Sequence, residues 1–127
     1  GETKFRGYIL NNFCYNDSGL GYMKVTAELL NRFFLSTNFC AQEVNILGNM
    51  KEIIMWIFFV EDVKNNKIRV EFRSRGPVVN KLATQFGGGG HNLASGALID
   101  SWEEADRIIS LANGLCNEYN FRRDYEA

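Results

Sequence analysis

Several kinds of residue are scarce in this chain, and each scarcity excludes a class of protein. The 127 residues include one histidine and three cysteines, and the formal net charge is −1. Because the chain has no Asp/His or Cys cluster, it has no obvious catalytic metal site. A net charge near zero excludes the global basic field of nonspecific nucleic-acid binders. Local positive groups would therefore have to hold any polyanionic partner.

The cysteines and the apolar segments indicate where the protein is expected to reside. Cys14, Cys40 and Cys116 are far apart and lie in apolar patterns. This is typical of structural thiols in a reducing compartment, so we expect a cytoplasmic protein. The apolar run at 53–60, IIMWIFFV, is far too short to span a membrane. We therefore expect no membrane partner.

The residues that are abundant predict one domain with a substantial core, since 46% are hydrophobic and ten are phenylalanine. Strand and helix patterns are mixed without strict alternation. The predicted fold class is α/β (α+β), with one mixed sheet of about five strands and helices packed on its faces. The predicted strands are 5–15, 20–25, 53–60, 67–75 and 94–99, and the predicted helices are 27–34, 39–47, 78–86 and one that begins after Ser101.

Several helix ends also have signals in the sequence. Gly48 is a plausible C-cap for the second helix, and Pro77 suits the first turn of the third. Ser101 and Glu104 have the spacing of a capping box. The tail at 120–127 is expected to be frayed.

A run of four glycines, 87–90, leads directly into His91, the single histidine. Such a run loses much conformational entropy on ordering. It is expected where the chain reverses sharply, or where peptide N–H groups approach an anion closely. A turn after the preceding helix and a binding site are about equally compatible with this spacing.

A second candidate feature is the end of the strand at 67–75. Arg73 and Arg75 alternate onto one side of the predicted strand, and a guanidinium group can donate two parallel hydrogen bonds to a phosphate. A solvated strand face in which Glu71 pairs with an arginine is the alternative. Since the predicted helix 78–86 joins the arginines to the glycine run, both can lie at one edge of the sheet, which favours a phosphate site.

Known catalytic motifs do not match the glycine run. A P-loop requires GK[ST], and a dinucleotide-binding loop follows a strand, whereas this run follows a predicted helix. No nucleophile lies in a recognised elbow. We therefore predict no catalytic residue in this chain and regard it as a binding unit.

Three segments, KIRVEFRSRG, PVVNKLATQF and GGGGHNLASGA, give the chain a family resemblance. Together they resemble the C-terminal substrate-binding domain of DHH phosphoesterases, the DHH-associated domain of the first subfamily. GGGGH followed by ASG is similar to the branch of bacterial oligoribonucleases and phosphoadenosine-phosphate phosphatases. The resemblance covers nearly the whole chain in the order of its elements.

The resemblance implies that residues 1–127 are one substrate-binding domain, a fragment without the N-terminal catalytic DHH domain. That missing domain would hold two manganese ions, whereas this chain would hold no cofactor. The implied activity is hydrolysis of short oligoribonucleotides as a 3′–5′ exonuclease, of phosphoadenosine phosphate, or of both. The implied partners are therefore a short RNA or phosphoadenosine phosphate, and the DHH domain. The substrate-binding residues that match are Arg73, Ser74, Gly88, Gly89, Gly90, His91 and, more weakly, Arg75.

Other functions are compatible with the same residues. The chain could be a nucleotide-sensing module without a catalytic partner, or part of a cyclic-dinucleotide phosphodiesterase of the same family. It could also be a structural domain in which the glycines only turn the chain.

Overall fold

A computed structural model describes residues 1–126 and shows one six-stranded mixed sheet. The strand order is β1-β2-β3-β4-β6-β5, in which only β2 and β3 are parallel neighbours. The predicted mixed sheet is confirmed, with one strand more than expected. The strands are β1 (Cys14–Tyr15), β2 (Leu20–Val25), β3 (Met55–Asp62), β4 (Lys67–Ser74), β5 (Gly89–His91) and β6 (Ala94–Ile99).

Helices cover both faces of the sheet, as predicted, and each face has its own hydrophobic core. One core lies under α4 and α5, and the other lies under α1 to α3. β3 contributes to both, because Ile57 and Phe59 face the first core whereas Phe58 and Val60 face the second. The helices are α1 (Glu2–Asn12), α2 (Ala27–Phe33), α3 (Thr37–Gln42), α4 (Asn80–Gln85) and α5 (Trp102–Glu126), with a 3₁₀ helix at Glu43–Asn49.

The alternation predicted for β4 is confirmed. Ile68, Val70, Phe72 and Ser74 are buried, and the residues between them are half-buried. β3 and β4 form a hairpin, in whose turn Asn66 adopts a positive φ of 52°. β1 and β2 are also antiparallel neighbours, and α2 is capped by Thr26, whose hydroxyl accepts from the Leu29 N–H.

The strand predicted at 5–15 is wrong over most of its length, because Glu2–Asn12 is a helix. Phe5 and Ile9 are one turn apart and fully buried. The ring of Phe5 packs edge-on against that of Phe33 in α2, with centroids 5.7 Å apart. A stripe of two buried residues is too short to be distinguished in the sequence from the loose alternation of a strand. The helix Glu2–Asn12 is stabilised by contacts with α2, which is distant in sequence.

Two other helices differ from their predicted bounds. The helix expected at 39–47 is an α-helix to Gln42 that tightens into the 3₁₀ helix, so Gly48 lies inside that helix and is not a C-cap. The helix expected from Val78 begins at Asn80, so Pro77 is not in its first turn. The Val79 N–H donates at 2.8 Å to the Asn92 carbonyl between β5 and β6, which delays the helix start.

The C-terminal region is helical to Glu126, so the expected fraying is wrong for 120–126, and Ala127 lies outside the described residues. Ser101 caps α5 as predicted, through the Glu104 N–H at 3.2 Å, whereas the Glu104 carboxylate accepts from Asp100 N–H. None of the helices in residues 1–126 is long and apolar enough to cross a membrane.

Candidate functional site

The sheet face opposite α4 and α5 is partly or fully exposed over β4, β6 and β5, and we call this part the open face. Its residues are Arg69, Glu71, Arg73, Gly89, His91, Ala94, Gly96 and Leu98. The register places Arg73 beside Ala94, and Ala94 beside His91, in one row across the three strands. Residues directly opposite in neighbouring strands lie on the same face. Two strand spacings separate the backbones of Arg73 and His91, about 9–10 Å. The structure therefore brings these two predicted residues to one surface.

Backbone carbonyls hold one nitrogen of the Arg73 guanidinium, and its other nitrogens can donate to a ligand. Its Nη1 donates to the carbonyl of Phe72 at 2.8 Å and approaches that of Ser95 at 3.4 Å. Its Nη2 lies 3.6 Å from the Glu71 carboxylate, beyond ordinary hydrogen-bond length. Three of the five N–H donors of the fork thus remain for a ligand.

The glycine run forms the end of α4 and the edge strand β5, which the sequence did not predict. The Gly87 and Gly88 N–H groups donate to the carbonyls of Thr84 and Ala83, so these two amides cap α4. An edge strand leaves alternate N–H groups of its outer side unpaired. Amides available to an anion are therefore alternate ones within the strand Gly89–His91, and not those of the whole run.

The space around each glycine shows that the fold requires glycine at Gly88 and Gly90 but not at Gly89. A Cβ on Gly88 would lie 2.0 Å from the Gly96 carbonyl oxygen, so β5 and β6 could not pack. Gly90 has a φ of 143°, and a Cβ there would meet Ser95 and the Ala94 carbonyl. At Gly89 a Cβ would meet nothing within 4 Å. Gly89 lies on the open face beside Gly96, so its missing side chain leaves bare backbone toward solvent.

Ser74 and Arg75 have different surroundings from Arg73. Ser74 is buried on the core face, where its hydroxyl donates to the Ile54 carbonyl and accepts from Gly76 N–H. The Arg75 guanidinium lies 4.9 Å from the ring centroid of Trp56. It donates to three carbonyls at the end of the 3₁₀ helix and the segment that follows it, those of Gly48, Met50 and Ile53. The structure does not bring either side chain onto the open face as a free donor.

A groove of about 530 Å³ lies next to this row, and Arg73, Ala94 and His91 are not among the residues that line it. Arg69, Glu71 and Gly96 line this groove, although they were not predicted as site residues from the sequence. The alternation in β4 could have shown that Arg69 and Glu71 share a face with Arg73, and a glycine inside a strand often marks a close approach. The residues that line the groove are Asp62, Arg69, Glu71, Gly87, Gly88, Gly96, Ala97 and Leu98.

The site can bind an anion, and its residues do not form a metal centre. Within residues 1–126, no three His, Cys, Asp or Glu side chains are grouped so that they could hold a metal ion. Arg69, Arg73 and His91 share one face of the sheet with Gly89, Ala94 and Gly96. Such a face lets a ligand approach the backbone, and both arginines can donate charge-assisted hydrogen bonds to it.

Comparison with known proteins gives this geometry a family context. The chain is 43% identical over 117 residues to the "Bifunctional oligoribonuclease and PAP phosphatase NrnA" of Bacillus subtilis, covering 92% of this chain and 37% of that protein. The protein of the same name from Mycoplasma genitalium is 37% identical over 109 residues, covering 86% and 33%. The chain thus spans about a third of the length of these curated relatives.

A solved structure shows the same fold. An exopolyphosphatase-related protein from Bacteroides fragilis superposes with a TM-score of 0.76 at 30% identity, covering 88% of this chain and 34% of that one. Residues 23–118, which run from β2 into α5, match the DHHA1 domain. This chain therefore belongs to the DHHA1 domain family, as its glycine-histidine and arginine segments predicted.

Proposed function

We propose that this chain is the substrate-binding domain of a DHH-family phosphoesterase that hydrolyses short oligoribonucleotides, phosphoadenosine phosphate, or both. Arg73, His91 and the glycine backbone of β5 bind a phosphate of the substrate. Ser74 and Arg75 support this site through the main-chain carbonyls that they hold. The names of the relatives from Bacillus subtilis and Mycoplasma genitalium support the choice of substrates.

One observation carries this proposal: Arg73 and His91 occupy one row of an uncovered sheet face that also contains Gly89, Ala94 and Gly96. Arginine donors and strand amides suit a phosphate, because both can donate to its oxygens without rearrangement. One or two phosphates need only such a compact site, which agrees with a net charge of −1.

We assign manganese and the reacting water to the rest of the protein, because residues 1–126 show no cluster of metal ligands. The described residues offer no group of three or more His, Cys, Asp or Glu that could hold a metal ion. We therefore derive no metal-dependent step from this domain. Its own contribution is to bind the phosphate and to orient it by the fixed guanidinium of Arg73.

The test is steady-state hydrolysis of a short oligoribonucleotide and of phosphoadenosine phosphate by the full-length protein. Arg73→Ala should lower kcat/KM about 10- to 100-fold, the range expected for charge-assisted hydrogen bonds to a phosphate. Arg73→Lys should restore part of the loss, because it returns the charge without the planar fork.

Arg122→Ala is the matched control. Arg122 lies on α5, on the other side of the sheet, and forms an exposed ion pair with Glu118 at 2.7 Å. Its loss should leave kcat/KM unchanged. An equally unchanged kcat/KM in Arg73→Ala would remove Arg73 from the site, and a wild-type protein that binds these nucleotides without hydrolysing them would favour a sensing module.

A further inference from the structure

Glu71 is a carboxylate in the middle of the open face that phosphate binding does not explain. It lies two residues from Arg73 on the same side of β4, and its side chain is 15% exposed. An ionised carboxylate repels a phosphate and can only accept hydrogen bonds. A groove built for an anion alone would gain affinity without it.

The surroundings of Glu71 hold its carboxylate in place without satisfying it. One oxygen, Oε1, lies 3.6 Å from both Arg69 Nη2 and Arg73 Nη2, too far for an ordinary hydrogen bond to either. The other, Oε2, lies over Gly96, where a Cβ would approach it to 2.9 Å. Gly96 therefore leaves room for the carboxylate, and both residues line the groove.

Distance along the strand indicates which part of a nucleotide meets this carboxylate. One two-residue step, about 6.6 Å, separates Glu71 from the row of Arg73 and His91. In a nucleotide the sugar is attached directly to the phosphate, and the base lies farther away. The donors nearest to a bound phosphate are thus the sugar hydroxyls, of which the 2′-hydroxyl distinguishes RNA from DNA.

We propose that Glu71 accepts a hydrogen bond from the ribose 2′-hydroxyl of the bound nucleotide and makes this site selective for ribonucleotides over deoxyribonucleotides. This inference rests on the proposed function, since it places the phosphate at Arg73 and His91. Arg69 and Arg73 flank the carboxylate, each with its Nη2 3.6 Å from Oε1. A deoxyribonucleotide leaves it without the donor, which costs the site a charge-assisted hydrogen bond.

The experiment compares kcat/KM of the full-length protein for 5′-phosphorylated diadenylate and its 2′-deoxy counterpart. The wild type should prefer the ribonucleotide, and Glu71→Gln should reduce the ribo/deoxy ratio at least about tenfold. Removing a negative charge next to the phosphate lowers KM for both substrates alike, so the ratio is the readout. A merely structural role of Glu71 would change both rates and leave the ratio constant.

Two further variants complete the test. Glu71→Asp should retain part of the discrimination, because it keeps the carboxylate. Glu118→Gln, which also removes an acid from an arginine pair but lies on α5, should leave the ratio unchanged.

Each failure has its own meaning. A wild type that hydrolyses neither substrate contradicts the proposed function. A wild type that hydrolyses both equally, or a Glu71→Gln variant with an unaltered ratio, overturns this inference alone. An unaltered ratio with a changed preference between adenine and guanine would assign Glu71 to the base instead.

Discussion

Two adjacent glycines, Gly88 just before β5 and Gly89 as its first residue, offer the sharpest test of the site, because the fold needs Gly88 and does not need Gly89. In Gly88→Ala the new methyl would start 2.0 Å from the Gly96 carbonyl oxygen. β5 would have to move away from β6 by more than 1 Å, and overpacking of this kind costs roughly 1–3 kcal/mol. In Gly89→Ala the methyl has open space. The reduced freedom of the unfolded chain should then stabilise the domain by about 0.4–1 kcal/mol.

Activity should show the opposite pattern. A methyl on Gly89 would hold the substrate phosphate away from the strand amides, and a displacement of about 1 Å can cost on the order of 10²-fold in rate. We therefore expect Gly89→Ala to lower kcat/KM of the full-length protein on that scale while its fold is intact.

Hydrogen exchange measured by mass spectrometry in the same full-length protein gives the stability readout. Peptides that cover β5 and β6 should exchange roughly 5- to 160-fold faster in Gly88→Ala, as its cost of about 1–3 kcal/mol implies. The same peptides should exchange no faster in Gly89→Ala than in the wild type. A Gly89→Ala protein with wild-type kcat/KM would refute the close approach of a ligand to this strand.

Two further predictions concern groups outside the open face. Arg75→Ala should lower the free energy of unfolding by roughly 1–3 kcal/mol, because it removes the donors to the Gly48, Met50 and Ile53 carbonyls. Urea denaturation measures this free energy. A loss of activity without a loss of stability would instead assign Arg75 to the anion site. Burial raises the pKa of Cys40 and of Cys116 to about 12, above the value near 8.5 in an unfolded chain. Their contribution to stability is therefore complete below about pH 8.5 and is lost as the pH rises toward 12. At pH 9 iodoacetamide should modify the exposed Cys14 in the native protein and spare these two until denaturant is added, and equal labelling of all three thiols would contradict their burial.

Strong local patterns predicted much of this fold. β4 alternates over eight residues, and its neighbour β3 is apolar on both faces, so each could be placed from its own residues. α1 could not, because its buried stripe consists only of Phe5 and Ile9 and depends on contacts with α2. The late start of α4 likewise follows from a tertiary hydrogen bond, from the Val79 N–H to the Asn92 carbonyl, that local spacing does not encode.

The candidate site shows the same limit. Composition drew attention to the glycine run, His91 and the arginines, and the strand register explains how Arg73 and His91 come to share a face. β5 has only three residues and no pattern of propensity, so the row across β4, β6 and β5 could not be foreseen. For that reason Gly96 was missed, whereas the alternation of β4 was enough to place Glu71 on the face of Arg73.

The sequence MWIFFV in β3 has a consequence for how the protein is made. A six-residue segment of β-formers without charge readily self-associates when it is exposed on an incomplete chain. Its partner β2 has already left the ribosome when β3 emerges, and β4 follows after only a four-residue connection. The charged residues of KIRVEFR in β4 then lie beside this hydrophobic strand and reduce its tendency to aggregate. Lengthening that connection should therefore raise aggregation during synthesis more than it lowers the stability of the finished domain.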